Sequence, residues 1–72
     1  MPGLRDVSQE SAVRAFVRLG GVERATKKNY RMVTMPNGAL LAIPGSTLKI
    51  GLLHRLIRRA GLTREQFEEA LP

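Results

Sequence analysis

The sequence predicts a small α+β domain in which one helix precedes three antiparallel strands and two helices follow them. Three observations predict this fold class. Apolar residues have helical spacing near both ends of the chain, a middle stretch alternates in character, and a Pro-Asn-Gly turn at 36–38 adjoins that stretch. A chain of 72 residues has room for one hydrophobic core, so we expect one domain over 1–72, with 1–5 frayed.

The first helix is predicted to start near Ser8 and to stop at Gly20 and Gly21. Either Asp6 or Ser8 can cap its first turn, because both side chains accept hydrogen bonds from unpaired backbone amides. The two glycines favour termination. The apolar face, at spacing i, i+3, i+4 and i+7, consists of Val13, Phe16, Val17 and Gly20.

Three strands are predicted over 22–27, 30–35 and 39–43, with residues 27–29 turning the chain between the first two. In the second strand, alternation puts one set of side chains on each face: Tyr30, Met32 and Thr34 opposite Arg31, Val33 and Met35. Pro36 fixes φ and Gly38 accepts a positive φ, which predicts a hairpin. The third strand is apolar throughout, so we expect little solvent exposure before Pro44 and Gly45 end it.

A second helix is predicted after Ser46 and Thr47, ending at Gly61. One side is apolar and consists of Ile50, Leu52, Leu53, Leu56, Ile57 and Ala60. The opposite side carries His54, Arg55, Arg58 and Arg59, so this helix can pack on the sheet and present cations outward. Thr63 and Gln66 then form a capping box for a short last helix, whose apolar side contains Phe67 and Leu71. The complete prediction is a three-stranded antiparallel sheet packed on one side by two helices, with a short C-terminal helix.

The charge distribution indicates a polyanionic partner. Twelve Lys and Arg against six Asp and Glu give a net charge of +6, and no acidic residue lies between Glu23 and Glu65. Solvated surfaces also carry Lys and Arg, but usually with both signs interspersed. The middle of the chain is therefore the expected contact surface.

Several function classes are disfavoured by composition. The chain has no cysteine and one histidine, so we expect no disulfide, no metal site and no cofactor. No apolar run is long enough to span a membrane, and the first eight residues lack a signal-peptide pattern. We expect a cytoplasmic protein with no membrane partner and no small-molecule substrate.

The order of elements is that of the double-stranded RNA-binding domain, and the residues resemble the HicA toxin family of type II toxin–antitoxin systems, which shares that fold. The resemblance covers most of the chain. It is densest from Pro36, Asn37 and Gly38 through Ile43 and Pro44, then at Leu48, Lys49, Ile50, Gly51, Leu53 and Ile57, and at Ala60, Gly61, Leu62, Thr63, Glu65 and Phe67. It implies an mRNA interferase, a small endonuclease that hydrolyses mRNA, held inactive by a HicB-like antitoxin protein that covers its active site.

The resemblance also implies a catalytic position. In the family a histidine follows Gly and Ser at the head of the second strand, and an ungapped alignment from Pro36 puts those three positions on Lys28, Asn29 and Tyr30. A tyrosine phenol is largely protonated near neutral pH, so it is a weaker base toward the RNA 2′-hydroxyl than imidazole. Three roles for Tyr30 stay open: a catalytic group assisted by the cations of Lys27 and Lys28, an aromatic platform for an RNA base, or an ordinary strand residue.

The remaining candidates are predicted RNA-binding residues. Lys49 lies near the start of the second helix, where unpaired amides and the helix dipole favour a phosphate. His54 is flanked by cations and has no carboxylate close in sequence, so we expect it to contact RNA rather than to catalyse. The full predicted set is Lys27, Lys28, Arg31, Lys49, His54, Arg55, Arg58 and Arg59.

Three functions are compatible with these observations. The first is a HicA-like toxin that is active through an unconventional residue or is attenuated. The second is a non-catalytic RNA-binding module that keeps the fold and the basic surface. The third is a membrane-surface or interaction role for the basic amphipathic helix, which ranks last because its apolar side is expected to cover the sheet.

Overall fold

The computed structural model describes residues 6–24 and 26–72. Six elements follow each other along the chain: α1 (Gln9–Arg18), β1 (Val22–Glu23), β2 (Arg31–Thr34), β3 (Leu40–Ile43), α2 (Ile50–Arg59) and α3 (Arg64–Ala70). This α-β-β-β-α-α order confirms the predicted fold class. The predicted fraying of residues 1–5 lies outside the described residues.

Local capping sets the helix starts. Ser8, one of the two predicted caps, accepts a hydrogen bond at 3.2 Å from the backbone amide of Ser11. The predicted capping box of α3 is present: the Thr63 hydroxyl accepts from the Gln66 amide at 3.1 Å, and the Gln66 side chain accepts from the Thr63 amide at 2.8 Å. By contrast, the N-cap residue of α2 is Lys49, whose side chain makes no capping hydrogen bond. The first-turn amides of α2 therefore lack the internal acceptor that the other two helices have.

The sheet is antiparallel with β2 in the centre, in the order β1-β2-β3. Val33 lies opposite Leu41, and Thr34 lies opposite Leu40. The predicted hairpin at 36–38 is confirmed: Gly38 has φ of 91°, and the Met35 amide donates to the Ala39 carbonyl at 2.8 Å. The register of β2 and β3 is fixed by this turn.

The first strand is shorter than predicted, with two residues instead of the six in 22–27. Pairing with β2 extends to Arg24, whose amide donates to the Met32 carbonyl. The next pair is Lys27 with Tyr30. Between these two pairs the first segment has two residues, whereas the β2 side has only one. Such a mismatch is of the kind found in β-bulges, and it interrupts the regular ladder of hydrogen bonds.

One face of the sheet is covered by the helices. Its inward side chains, Val33, Met35, Leu41 and Ile43, are buried in a single core together with Phe16 of α1. The rings of Phe16 and Phe67 lie 5.0 Å apart, which joins α1 to α3. The predicted apolar side of α2 is confirmed for its four buried members, Leu53, Leu56, Ile57 and Ala60.

Three predictions about exposure were wrong. Val17 is 42% exposed, and α1 instead buries Ala12 and Ala15 beside Val13 and Phe16. Ile50, in the first turn of α2, is 40% exposed. The third strand is not shielded throughout, since Leu40 is 49% exposed and Ala42 is also exposed. Helices cover only one face of this single-layer sheet, so alternate side chains of the third strand face solvent.

The end of α1 approaches the sheet very closely. Gly21 donates its amide to the Phe16 carbonyl at 2.9 Å, and a Cβ atom built on it would lie 2.7 Å from a methyl group of Val33. Only glycine fits at this distance. The absence of a side chain at Gly21 therefore lets the end of the first helix pack closely against the central strand.

Candidate nucleic-acid interface

One end of the sheet brings together the β1–β2 turn, the segment after β3 and the start of α1. Gln9 links them, because its side-chain amide donates to the Asn29 carbonyl at 2.9 Å and to the Ile43 carbonyl at 3.0 Å. Nearby, Val7 and Leu48 pair through two backbone hydrogen bonds of 3.1 and 2.7 Å. The chain segments before α1 and before α2 are thus joined at the same end of the molecule.

A cleft of about 650 Å³ opens at this end. Its lining includes Lys28, Tyr30 and Arg31 together with residues 44–46. Hydroxyl, amide, guanidinium, ammonium and phenol groups are present around it, while no imidazole or carboxylate is among its lining side chains. The cleft therefore suits an anionic or hydrogen-bonding ligand better than a cation.

The β1–β2 turn has an unusual backbone. Lys27 and Tyr30 exchange backbone hydrogen bonds of 2.9 and 3.0 Å around Lys28 and Asn29, which confirms the turn predicted at 27–29. Lys28 has φ of 57°, the only positive φ of a non-glycine residue in the described part of the chain. A left-handed conformation costs an L-residue about 1 kcal/mol. Backbone strain of this kind concentrates at functional sites, so Lys28 marks the turn as a candidate site.

Tyr30 lies where two concave surfaces meet. Its side chain lines the cleft and also a smaller, mostly apolar hollow of about 280 Å³ formed with Lys27, Lys28, Met32 and Ala42. It is 47% exposed, so the ring is accessible from solvent. The side chain of Tyr30 is therefore reachable by a ligand and is flanked by two lysines.

Arg31 differs from the other predicted RNA-binding cations because two carboxylates already neutralise it. Its guanidinium lies 2.6 Å from a Glu10 oxygen and 2.7 Å from a Glu23 oxygen. Hydrogen bonds from Arg31, and then from Arg14, lower the pKa of Glu10, and Arg31 likewise lowers the pKa of Glu23. The same bonds raise the pKa of Arg31. This side chain joins α1, β1 and β2, and its RNA contact stays a prediction.

The charges of the other predicted cations are barely neutralised by carboxylates of the protein itself. Lys49 is 81% exposed and reaches Asp6 only at 3.4 Å. Within residues 6–24 and 26–72 seven cationic side chains make no ion pair, and five of them belong to the predicted set: Lys27, Lys28, Arg55, Arg58 and Arg59. Their charges are open to an external anion.

The predicted residues fall into two groups rather than one. Lys27, Lys28 and Tyr30 meet at the β1–β2 turn. The outer side of α2 carries the second group, and there His54 and Arg58 line a separate groove of about 370 Å³ with Arg64 and Glu65. The imidazole of His54 therefore lines a different concavity from the phenol of Tyr30.

Sequence reasoning missed two side chains that fix loops through long-range contacts, Gln9 at the cleft and Asn37 away from it. Gln9 contacts residues 20 and 34 positions away, and the polar pattern of α1 gives no signal for it. At the other end of the sheet, the Asn37 side chain donates to the Arg59 carbonyl at 2.9 Å, a contact between residues 22 positions apart. Both side chains fix loops by bonding backbone carbonyls, a role that no local sequence motif encodes.

No helix in the described ranges is both long and apolar enough to cross a membrane, and those ranges contain no group of three potential metal-ligating His, Asp or Glu side chains. A scan of the sequence against protein-family models gives no matching family, and a search among curated proteins finds no match either. The functional assignment therefore depends on the fold, the site and the residues themselves.

Proposed function

We propose that this chain is a HicA-like protein that binds RNA in the cytoplasm, as the toxin component of a toxin–antitoxin pair, with a HicB-like protein as its antitoxin. One observation carries the proposal. The alignment that puts the family histidine on Tyr30 also puts the family glycine on Lys28, and Lys28 has the left-handed φ of 57° that favours glycine. The backbone at the turn thus agrees with the family pattern although the side chains differ.

The charges support RNA as the ligand. Lys27 and Lys28 flank Tyr30, and Arg55, Arg58 and Arg59 form a second exposed basic group on α2. Exposed cations without internal partners gain charge-assisted hydrogen bonds to phosphates and release counterions when they bind. Binding should therefore weaken steeply as the salt concentration rises.

The chemistry at Tyr30 separates a ribonuclease from a binding module. Cleavage of RNA needs a group that removes the proton of the 2′-hydroxyl, and the resemblance puts Tyr30 at the position for this role. A specific observation favours the second candidate, a non-catalytic module: the lining of the cleft contains no imidazole and no carboxylate that could assist the phenol. The two candidates share the fold and the RNA, and differ in one proton transfer.

The test is cleavage of an end-labelled mRNA by the purified protein, compared with Tyr30→Phe and Tyr30→His. Cleavage by the native protein that Tyr30→Phe abolishes would establish a tyrosine-dependent ribonuclease. Binding without cleavage, with cleavage appearing in Tyr30→His, would establish a binding module on a toxin scaffold. His54→Ala tests the other acid–base candidate, whose side chain lies in a different groove, and loss of cleavage in that variant instead would assign catalysis to His54. Absence of RNA binding in a gel-shift assay at low salt would refute the proposal.

A further inference from the structure

The face of the sheet that no helix covers carries exposed apolar residues to which the proposed function assigns no role. We define this open face by seven residues that alternate with the buried ones along the strands and their ends: Val22, Arg24, Tyr30, Met32, Thr34, Leu40 and Ala42. Val22 is 54% exposed, Leu40 49% and Tyr30 47%. Large apolar groups are therefore presented to solvent on this face.

The charge on this face has a single sign. Arg24 belongs to it and donates to the Thr34 hydroxyl at 3.1 Å, while Lys27 and Lys28 border it beside Tyr30. The six carboxylate side chains lie elsewhere: on α1 and just before it, on α3, and at Glu23, which pairs with Arg31 on the covered side. An apolar surface with a purely cationic border is complementary to a ligand that combines flat apolar groups with negative charge.

We infer that the open face binds single-stranded RNA, with an unpaired base stacked on Tyr30 and its neighbouring phosphates paired with Lys27 and Lys28. This inference rests on the proposed function and specifies the form of the RNA. Unpaired bases stack on aromatic side chains exposed on a sheet, whereas a duplex keeps its bases stacked on each other and presents phosphates and 2′-hydroxyls. The ring of Tyr30 with Met32 and Ala42 gives such a platform.

The same observations disfavour a second copy of the chain as the occupant. In a symmetric dimer through this face, Arg24, Lys27 and Lys28 of one copy would approach the same residues of the other. No carboxylate in the described residues of the face would neutralise them. Like charges across an interface oppose association.

The experiment compares binding of a fluorescent single-stranded oligouridine and a duplex of the same length by fluorescence anisotropy. We expect the single strand to bind more tightly than the duplex. Tyr30→Leu, which keeps an apolar side chain but removes the ring, should weaken single-strand binding by about fivefold to a hundredfold, and Tyr30→Phe should change it by less than about twofold. The ring, rather than the hydroxyl, is what this measurement tests.

A second measurement detects the stacking directly. Tyr30 is the only tyrosine in the chain, so its ring protons give one assignable set of NMR signals. These signals should move upfield when the single strand is added and stay in place when the duplex is added. Leu40→Ser should weaken single-strand binding, whereas Val17→Ser, at a similarly exposed apolar position on α1, should leave it unchanged.

Three results would overturn the inference. Binding of the duplex with no effect of Tyr30→Leu would refute it while leaving RNA binding by the domain intact. An RNA-free dimer in sedimentation equilibrium that Leu40→Ser dissociates would show that a second copy occupies the face. If neither RNA binds at low salt, the proposed function fails together with the inference.

Discussion

The two faces of the sheet are built from the same strands but have opposite properties. Leu41 is 1% exposed and Leu40 is 49% exposed, although they are neighbours in the chain with the same side chain. The covered face holds the core, and the open face holds apolar groups that the fold leaves in solvent. Period-two alternation therefore divides the residues of one short strand between the core and the solvent-exposed surface.

The cations show the same division. Arg31 points to the covered side and is held by Glu10 and Glu23, so its charge is used within the fold. Lys27 and Lys28, at the border of the open face, make no ion pair with any carboxylate of the described residues. Substitutions on the two faces should therefore affect different measurements.

The largest expected effect comes from the adjacent leucines. Leu41→Ala should lower the free energy of unfolding by about 2 to 5 kcal/mol, because it leaves a cavity in the core. Leu40→Ala should lower it by less than about 1 kcal/mol, since half of that side chain is already in solvent. Urea denaturation of both variants measures the difference. Equal losses would mean that the open face is covered in solution.

A smaller effect is expected where α1 meets the covered face. Gly21→Ala would put a methyl group 2.7 Å from Val33 and 2.9 Å from the Phe16 carbonyl, so we expect a loss of about 1 to 3 kcal/mol. Gly51→Ala is the matched control, because a methyl group added at this position on α2 would meet nothing within 4 Å. That change should stabilise the protein by up to about 1 kcal/mol. Thermal unfolding that ranks the two variants the other way would contradict the close packing.

A glycine substitution at Lys28 in the β1–β2 turn, beside the open face, should stabilise the fold, whereas Gly21→Ala should destabilise it. Lys28→Gly removes the strain of a left-handed lysine and should stabilise the fold by up to about 1 kcal/mol, after the greater chain entropy of glycine is counted. RNA affinity should fall at the same time, because one cation is lost. Asn29→Gly, at a position without positive φ, should only destabilise. A loss of stability in Lys28→Gly would show that the turn is unstrained.

The smallest expected effect is the loss of stability at acid pH that comes from the ion pairs of Arg31 on the covered side. Arg31 lowers the pKa of Glu10 and Glu23, so both carboxylates stabilise the fold fully above their ordinary pKa of about 4.3. This contribution is lost as the pH falls through the lowered values. Arg31→Gln should flatten that dependence, and Arg58→Gln should not, because Arg58 has no carboxylate partner among the described residues. Urea midpoints measured from pH 6 to about pH 2 would test the difference.

Local chemistry explains which parts of the fold the sequence predicts well. Ser8, the Thr63 capping box and the 36–38 turn act within three or four residues, and each lies where it was predicted. The length of β1 could not be predicted, because the mismatch between Arg24 and Lys27 arises from pairing with β2. An apolar run such as 39–43 also does not reveal whether one or both faces of its strand will be covered.

The candidate site was predictable in its residue types but not in its grouping. The basic outer side of α2 follows from helical periodicity alone, and the structure confirms its exposure. The pairing of Arg31 with Glu10 joins residues 21 positions apart, and the cleft depends on Gln9 reaching across two loops. Contacts of that range are decided by the tertiary fold and leave no local pattern.

The position of β3 at the edge of the sheet has a consequence for the behaviour of the protein in solution. Its outer backbone groups pair with no other described strand, and the segment 39–43 contains no charged side chain to deter a second edge from pairing. The net charge of +6 then becomes the main colloidal protection. Salt screens that repulsion over about 10 Å at 0.1 M, so the free protein should self-associate as ionic strength rises, and light scattering in a salt titration would show it.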